Sequence, residues 1–203
     1  LVIALAVEQL YADRLAEHYD MLAYHFTKAE DWSKALEYLL KAAAKAVKSF
    51  ANREAITLYD QAEEAATHLG AAADTATRMT IHKAKSELYV AVSDFTRSIE
   101  EGERVLALAR QAGDPAGEGA ALVGMGWAAA WAHDFDRAIT LSRQAIEVAE
   151  PIDAKSALAA LAQQAQLAAL PQHGLRYPLR PAPGRVKNEL LVPGQEPASI
   201  LDA

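Results

Sequence analysis

The sequence predicts an all-α fold: a right-handed solenoid of antiparallel helix pairs, about four of them, over residues 1–170, followed by a Pro/Gly-rich disordered tail over 171–203. Three observations carry this. Apolar residues recur at intervals of three and four almost throughout 1–170, and nothing alternates with period two for long enough to make a strand. Small and large side chains alternate along the same helix faces in a pattern that returns down the chain. The stretches between periodic segments are short and rich in Asp, Gly and Pro, the residues that stop and start helices.

Taken in order, the periodicity predicts helices over 2–28, 32–49, 52–68, 74–92, 95–112, 115–132, 135–150 and 153–170. Asp31 is placed to cap the second helix and Asn52 the third. Gly70 stops the third. "SDF" at 93–95 and "HDF" at 133–135 are matching turns, each with an aspartate before an aromatic. In "AGDPAGEG", Gly113 follows one helix and Pro115 falls in the first turn of the next, as Pro151 does later. Residues 171–203 hold six of the eight prolines and three of the ten glycines and show no helical period. The change after Leu170 is abrupt, as a truncation or an altered reading frame would make it. With Leu1 in place of a methionine, the chain reads as a piece of a longer protein.

The first pattern is Tyr19, Leu22, Ala23 and Phe26, then Trp32, then Ala35, Leu39 and Ala42. The first four fall on one helix face, and small Ala23 and Ala35 let two backbones close together. This spacing resembles a tetratricopeptide helix pair. It returns in Leu122, Met125, Gly126 and Ala129 with Phe135, Ala138, Ser142 and Ala145. It is partial in Tyr89, Phe95, Ser98, Gly102 and Val105, where His82, Lys85 and Ser86 stand in place of a large, a large and a small residue. Ala55, Tyr59 and Ala62 supply it from a single helix. The corresponding small residues lie at 35, 55, 98 and 138, so the repeat is irregular.

"AEHYDMLAYHF" at 16–26 resembles a metal or acid–base motif, but its packing code explains it better. His18 and His25, two turns apart, are separated by about 10 Å along a helix axis, too far to share one metal ion. No metal ligand set, cofactor site or catalytic residue is expected. "GDPAGEG" and "GMG" lack the lysine and the preceding strand of a phosphate loop. Glu63–Glu64 and Glu100–Glu101, adjacent on helices and so pointing about 100° apart, are expected to be solvated.

The 203 residues are 52% hydrophobic and 23% charged, a balance that supports a sizeable core. Net charge is −7; residues 1–170 carry −8 and the tail +1, which argues against a nucleic-acid surface. No apolar run approaches the ~20 residues a bilayer span needs. The absence of cysteine removes disulfides and thiol chemistry and fits a cytoplasmic protein.

The block 31–66, with "LYADRLAEHYDMLAYHF" before it, is similar to one set of tetratricopeptide modules. These are the C-terminal helical repeats of bacterial signalling proteins in which a nucleotide cyclase or DNA-binding domain precedes an AAA-like ATPase. The likeness rests on Tyr11, His18-Tyr19, His25, Asp31-Trp32, Lys34-Ala35-Leu36, Tyr38, Leu39 and the run Phe50 to Ala55. It covers about 5–150 and is strongest over 8–66. It implies a non-catalytic, regulatory protein-interaction module, any catalytic domains lying outside this chain. Its partner would be a protein or peptide in the concave groove, or the neighbouring domains of the parent. The alternative is a scaffold that self-associates through its helical faces. For the groove, Trp127 and Trp131 are the leading binding residues, i and i+4 on the first helix of a pair and off its seam. By the same geometry Tyr24, Lys28, Lys83 and Glu87 join them.

Overall fold

The computed structural model describes residues 1–149. The expected helix at 153–170 and tail at 171–203 lie outside them. Among the described residues every regular element is helical: α1 (Val2–Leu10), a 3-10 segment (Ala12–Glu17), α2 (Tyr19–Lys28), α3 (Trp32–Lys48), α4 (Asn52–Leu69), a 3-10 turn (Gly70–Ala72), α5 (Thr75–Ala91), α6 (Phe95–Ala112), α7 (Pro115–Trp131) and α8 (Phe135–Ala149). Each helix packs on its neighbours in sequence, and α5 also touches α7. This is the one-dimensional contact scheme of an all-α solenoid.

The single long helix expected over 2–28 is broken. Arg14 leaves helical geometry at φ −134°, and the Tyr11 ring comes within 4.3 Å of His18. The break folds α1 back so that Ala4 and Val7 join the core formed by Leu22, Phe26, Leu36, Tyr38 and Leu39. It also brings Glu8 to Lys34 (2.9 Å) and to the Tyr38 hydroxyl. Tertiary burial here overrides local helix propensity, which alone would run straight through.

The Asp-based turns form as the sequence predicts. Asp31, Asp74, Asp94, Asp114 and Asp134 each accept a hydrogen bond from the backbone N–H three residues on. Before four of these aspartates the chain takes the left-handed conformation, at Glu30, Ser93, Gly113 and His133. The aspartate N–H then reaches back to the carbonyl five residues earlier, satisfying the end of the previous helix. At α4 the expectation fails: Asn52 is the first helical residue, Ala51 is the N-cap, and no side chain caps it. Arg78 closes the other end of α4 by donating to the carbonyls of Ala66 (2.6 Å) and Gly70 (2.8 Å).

A side chain with a Cβ at a left-handed position costs about 1–2 kcal/mol, of which glycine's extra unfolded-state freedom returns part. Glu30→Gly and Ser93→Gly should therefore each raise stability by about 0.5–1 kcal/mol in urea unfolding, whereas Ser93→Ala should not.

Two of the pairs read from spacing, α5 with α6 and α7 with α8, are among the most extensive contacts; α3, read as the partner of α2, does pack on α2 but packs more extensively on α4. α2 stacks in front of α3 and contributes Leu22, Ala23 and Phe26 to its seam, while Tyr19 and Trp32 are half-buried at the edges. Trp32 stacks flat on His68 of α4, centroids 3.9 Å apart. Ala35, Ala55, Gly126 and Ala138 are buried small residues at close helix contacts, and Leu39, Tyr59 and Tyr89 are buried beside them. Phe95 and Phe135 are half-buried at the starts of α6 and α8. Gly102 is the tightest of these contacts: a Cβ there would collide with the buried Met125 side chain. No described helix is long and apolar enough to cross a membrane.

Candidate functional site

Two features stand out, a grooved face and a buried ionic cluster. The paired helices place α3, α5 and α7 on one face, and two hollows open there. The first, about 490 Å³, lies between α3 and α5, walled by Ala44, Val47, Lys48, Ala84, Glu87 and Leu88, with Tyr59 beneath and Phe50 at its rim. The second, about 340 Å³, lies between α5 and α7 and is lined by Met79, Lys83 and Glu87 opposite the small residues Gly117, Ala120, Ala121 and Gly124. Glu87 borders both. Burial pushes the Tyr59 hydroxyl up, and the nearby Glu87 charge adds to this.

Of the residues predicted for the groove, Lys83 and Glu87 line it. Tyr24 and Lys28 do not, because α2 falls on the other side once α3 pairs with α4. Tyr24 is exposed on α2 with the Lys28 ammonium 5.8 Å from its ring centroid, and neither residue borders either hollow. Trp127 and Trp131 are half-buried on α7 and border neither hollow. Phe50 belongs to the family likeness but not to the predicted groove residues, yet it is the most exposed large apolar side chain of the described residues, at 86%.

The ionic cluster is not among the sequence expectations. Lys85, 4% exposed, points from α5 into the junction of α4, α5 and α6. Its ammonium donates to Asp60 (2.7 Å), Glu63 (2.7 Å) and Glu101 (3.0 Å). His82 Nδ1 donates to the second Glu101 oxygen at 2.7 Å, and Arg104 bridges Glu63 and Glu101 from the solvent side. Glu101, expected in water, is buried instead, and its neighbour Glu100 is exposed. The seam positions that look defective in the sequence, His82 and Lys85, are those that bind it. Burial would lift the Glu101 carboxyl, but hydrogen bonds from His82 and Lys85 and the charges of Lys85 and Arg104 hold it below the ordinary glutamate value. Burial would likewise depress the Lys85 ammonium, and its three carboxylate partners reverse this and raise it. Glu63, His82 and Glu101 bring three possible metal-ligand atoms together. Lys85 and Arg104 bring two positive charges to the three carboxylates, and the cluster ties α4, α5 and α6 together. The sequence does hold a clue: a lysine at a core register of α5, with acids at seam registers of both flanking helices.

No family model matches the chain, and no curated protein does. Among solved structures it is similar to the nearly identical TPR-like repeats ascribed to a kinesin light chain of Podosopora anserina, at 15% identity and TM-score 0.61, over 81% of this chain and 82% of that one. A second structure of the same repeats, a point variant, matches at the same identity and TM-score over 81% of each chain. BtubC (BKLC) from P. vanneervenii is similar at TM-score 0.53 and 15% identity, over 93% of each chain. At these identities the likeness establishes the fold, a TPR-like stack of helix pairs.

Proposed function

We propose that this chain is a non-catalytic protein-interaction and regulatory module, the helical-repeat part of a bacterial cytoplasmic signalling protein with an AAA-like ATPase or nucleotide cyclase. The observation that carries the interaction reading is the grooved face of α3, α5 and α7. Its hollows are lined by apolar and small side chains, and among the described residues its charges Lys48, Lys83 and Glu87 are in no ion pair. A stack of this kind presents side chains from successive pairs to one extended partner. The signalling parent is supported by the residue likeness over 8–66. The coding sequence upstream of Leu1 tests it: a phosphate-loop ATPase is expected there, and deletion of residues 1–149 should change that ATPase's activity. An upstream region without one, or unchanged activity, refutes the parent assignment.

One observation favours a second reading, self-association. Val2, Ile3, Leu5 and Leu10 of α1 are exposed together, an apolar face of the kind that marks contact surfaces. Light scattering decides it: a strict monomer at high concentration removes this reading.

A further inference from the structure

We propose that α1 is an exchangeable helix: it leaves its own seat on α2 and α3 and docks on the same seat of a second copy, giving a two-fold swapped dimer. The inference rests on the self-association reading above and deepens it by naming the surface and its occupant.

The seat is shallow and specific. α1 buries only Ala4 and Val7, in the cluster that holds Leu22, Phe26 and Tyr38. Its polar anchor is Glu8, which accepts from the Lys34 ammonium at 2.9 Å and from the Tyr38 hydroxyl. α1 and α2 share less contact than any other two consecutive α-helices. Leaving the seat therefore gives up two small side chains and one anchored carboxylate. A second copy returns all of these, because its seat is identical. Val2, Ile3, Leu5 and Leu10 are exposed even on the seated helix, so a released α1 is too apolar to stay in water and must dock again.

The hinge favours release. Between α1 and α2 the backbone leaves helical geometry at Tyr11, Arg14 and His18, yet residues 1–31 contain no glycine and no proline to force a break. In the bend the Arg14 and His18 N–H groups donate to carbonyls three residues back. Straightened over 2–28, the segment regains the regular bonds to the fourth residue back and becomes one helix about 40 Å long. The Tyr11 and His18 rings are 4.3 Å apart in the bend. On a straight helix they would stand about 10 Å apart along the axis, so this contact belongs to the bent form alone. Two straightened helices lying antiparallel set each α1 on the α2 of the other chain.

Mixing two charge-reversed full-length chains tests the exchange. Glu8→Lys sets like charges together at the seat of one chain, and Lys34→Glu does so in the other. Both side chains reach solvent, and circular dichroism confirms that the variants keep their helices. Exchange of α1 between the two chains restores an opposite pair at both seats. Native mass spectrometry, with one chain isotope-labelled, should show the mixed dimer in about 10-fold or greater excess over random pairing. A chain carrying both substitutions restores the pair internally and should dimerise like the wild type. Asp13→Ala with His18→Ala raises helix propensity at the hinge and removes the ring contact, and should tighten dimerisation by about 10-fold. Random pairing of the charge-reversed chains, or a hinge variant that dimerises no better, overturns the exchange and leaves the self-association reading standing. A strict monomer at high concentration removes both.

Discussion

Lys85→Met is expected to cost about 3 kcal/mol in chemical unfolding, because it removes the ammonium shared by Asp60, Glu63 and the buried Glu101 and leaves only the half-exposed Arg104 as a counter-charge to Glu63 and Glu101. Methionine nearly matches the stem of lysine in volume, so the loss is electrostatic and not a cavity. It should also shrink on acidification. In the native protein the Glu101 carboxyl is held below its ordinary value, so its contribution is present above the unfolded pKa and fades as pH falls through the folded one. Without Lys85 that carboxyl loses two of the influences that hold it down and should rise from its lowered value, so the variant's deficit should narrow as pH falls. Lys85→Met with Glu101→Gln should recover part of the loss at neutral pH. A pH-independent deficit under about 1 kcal/mol would show that Lys85 contributes only its aliphatic stem.

Phe26→Ala should be about as severe, about 3–5 kcal/mol, the usual range for deleting a buried aromatic. Phe26 is fully buried and its ring lies parallel to that of Tyr38, centroids 5.6 Å apart. It belongs to α2 and packs into the core that Leu22 forms with Leu36, Tyr38 and Leu39 of α3. In a stack with nearest-neighbour coupling the damage should be local. Hydrogen exchange should rise across α1 to α3 and change least in α7 and α8. A uniform rise along the chain would mean that the stack unfolds as one cooperative unit.

The helices are legible in the sequence because their signals are local: Asp31, Asp94, Asp114 and Asp134 mark their own starts, and the spacing of Tyr19, Leu22, Ala23 and Phe26 repeats at Leu122, Met125, Gly126 and Ala129. Two things are not. The break after α1 depends on Ala4 and Val7 finding a seam that only exists once α2 and α3 are packed. The ionic cluster depends on Asp60, Glu63, Lys85 and Glu101 meeting from three helices; Lys85 reads as a defect in its seam, and each acid alone reads as a surface charge. The groove residues are half legible for a related reason. Helical period gives a face, but the direction it looks depends on the pairing. Moving α3 from α2 to α4 keeps Lys83 and Glu87 in the hollow and leaves Tyr24 and Lys28 outside it.

Between α4 and α5 the direct contact is the thinnest of any consecutive pair from α2 to α8, and charge bridges that joint. Coulomb attraction decays slowly with distance, whereas dispersion is largely lost within an ångström of separation. Under a bending load the stiff blocks on either side would pivot about Lys85, and the joint would stretch elastically before it parted. Curvature along the stack would then be adjusted at that one place.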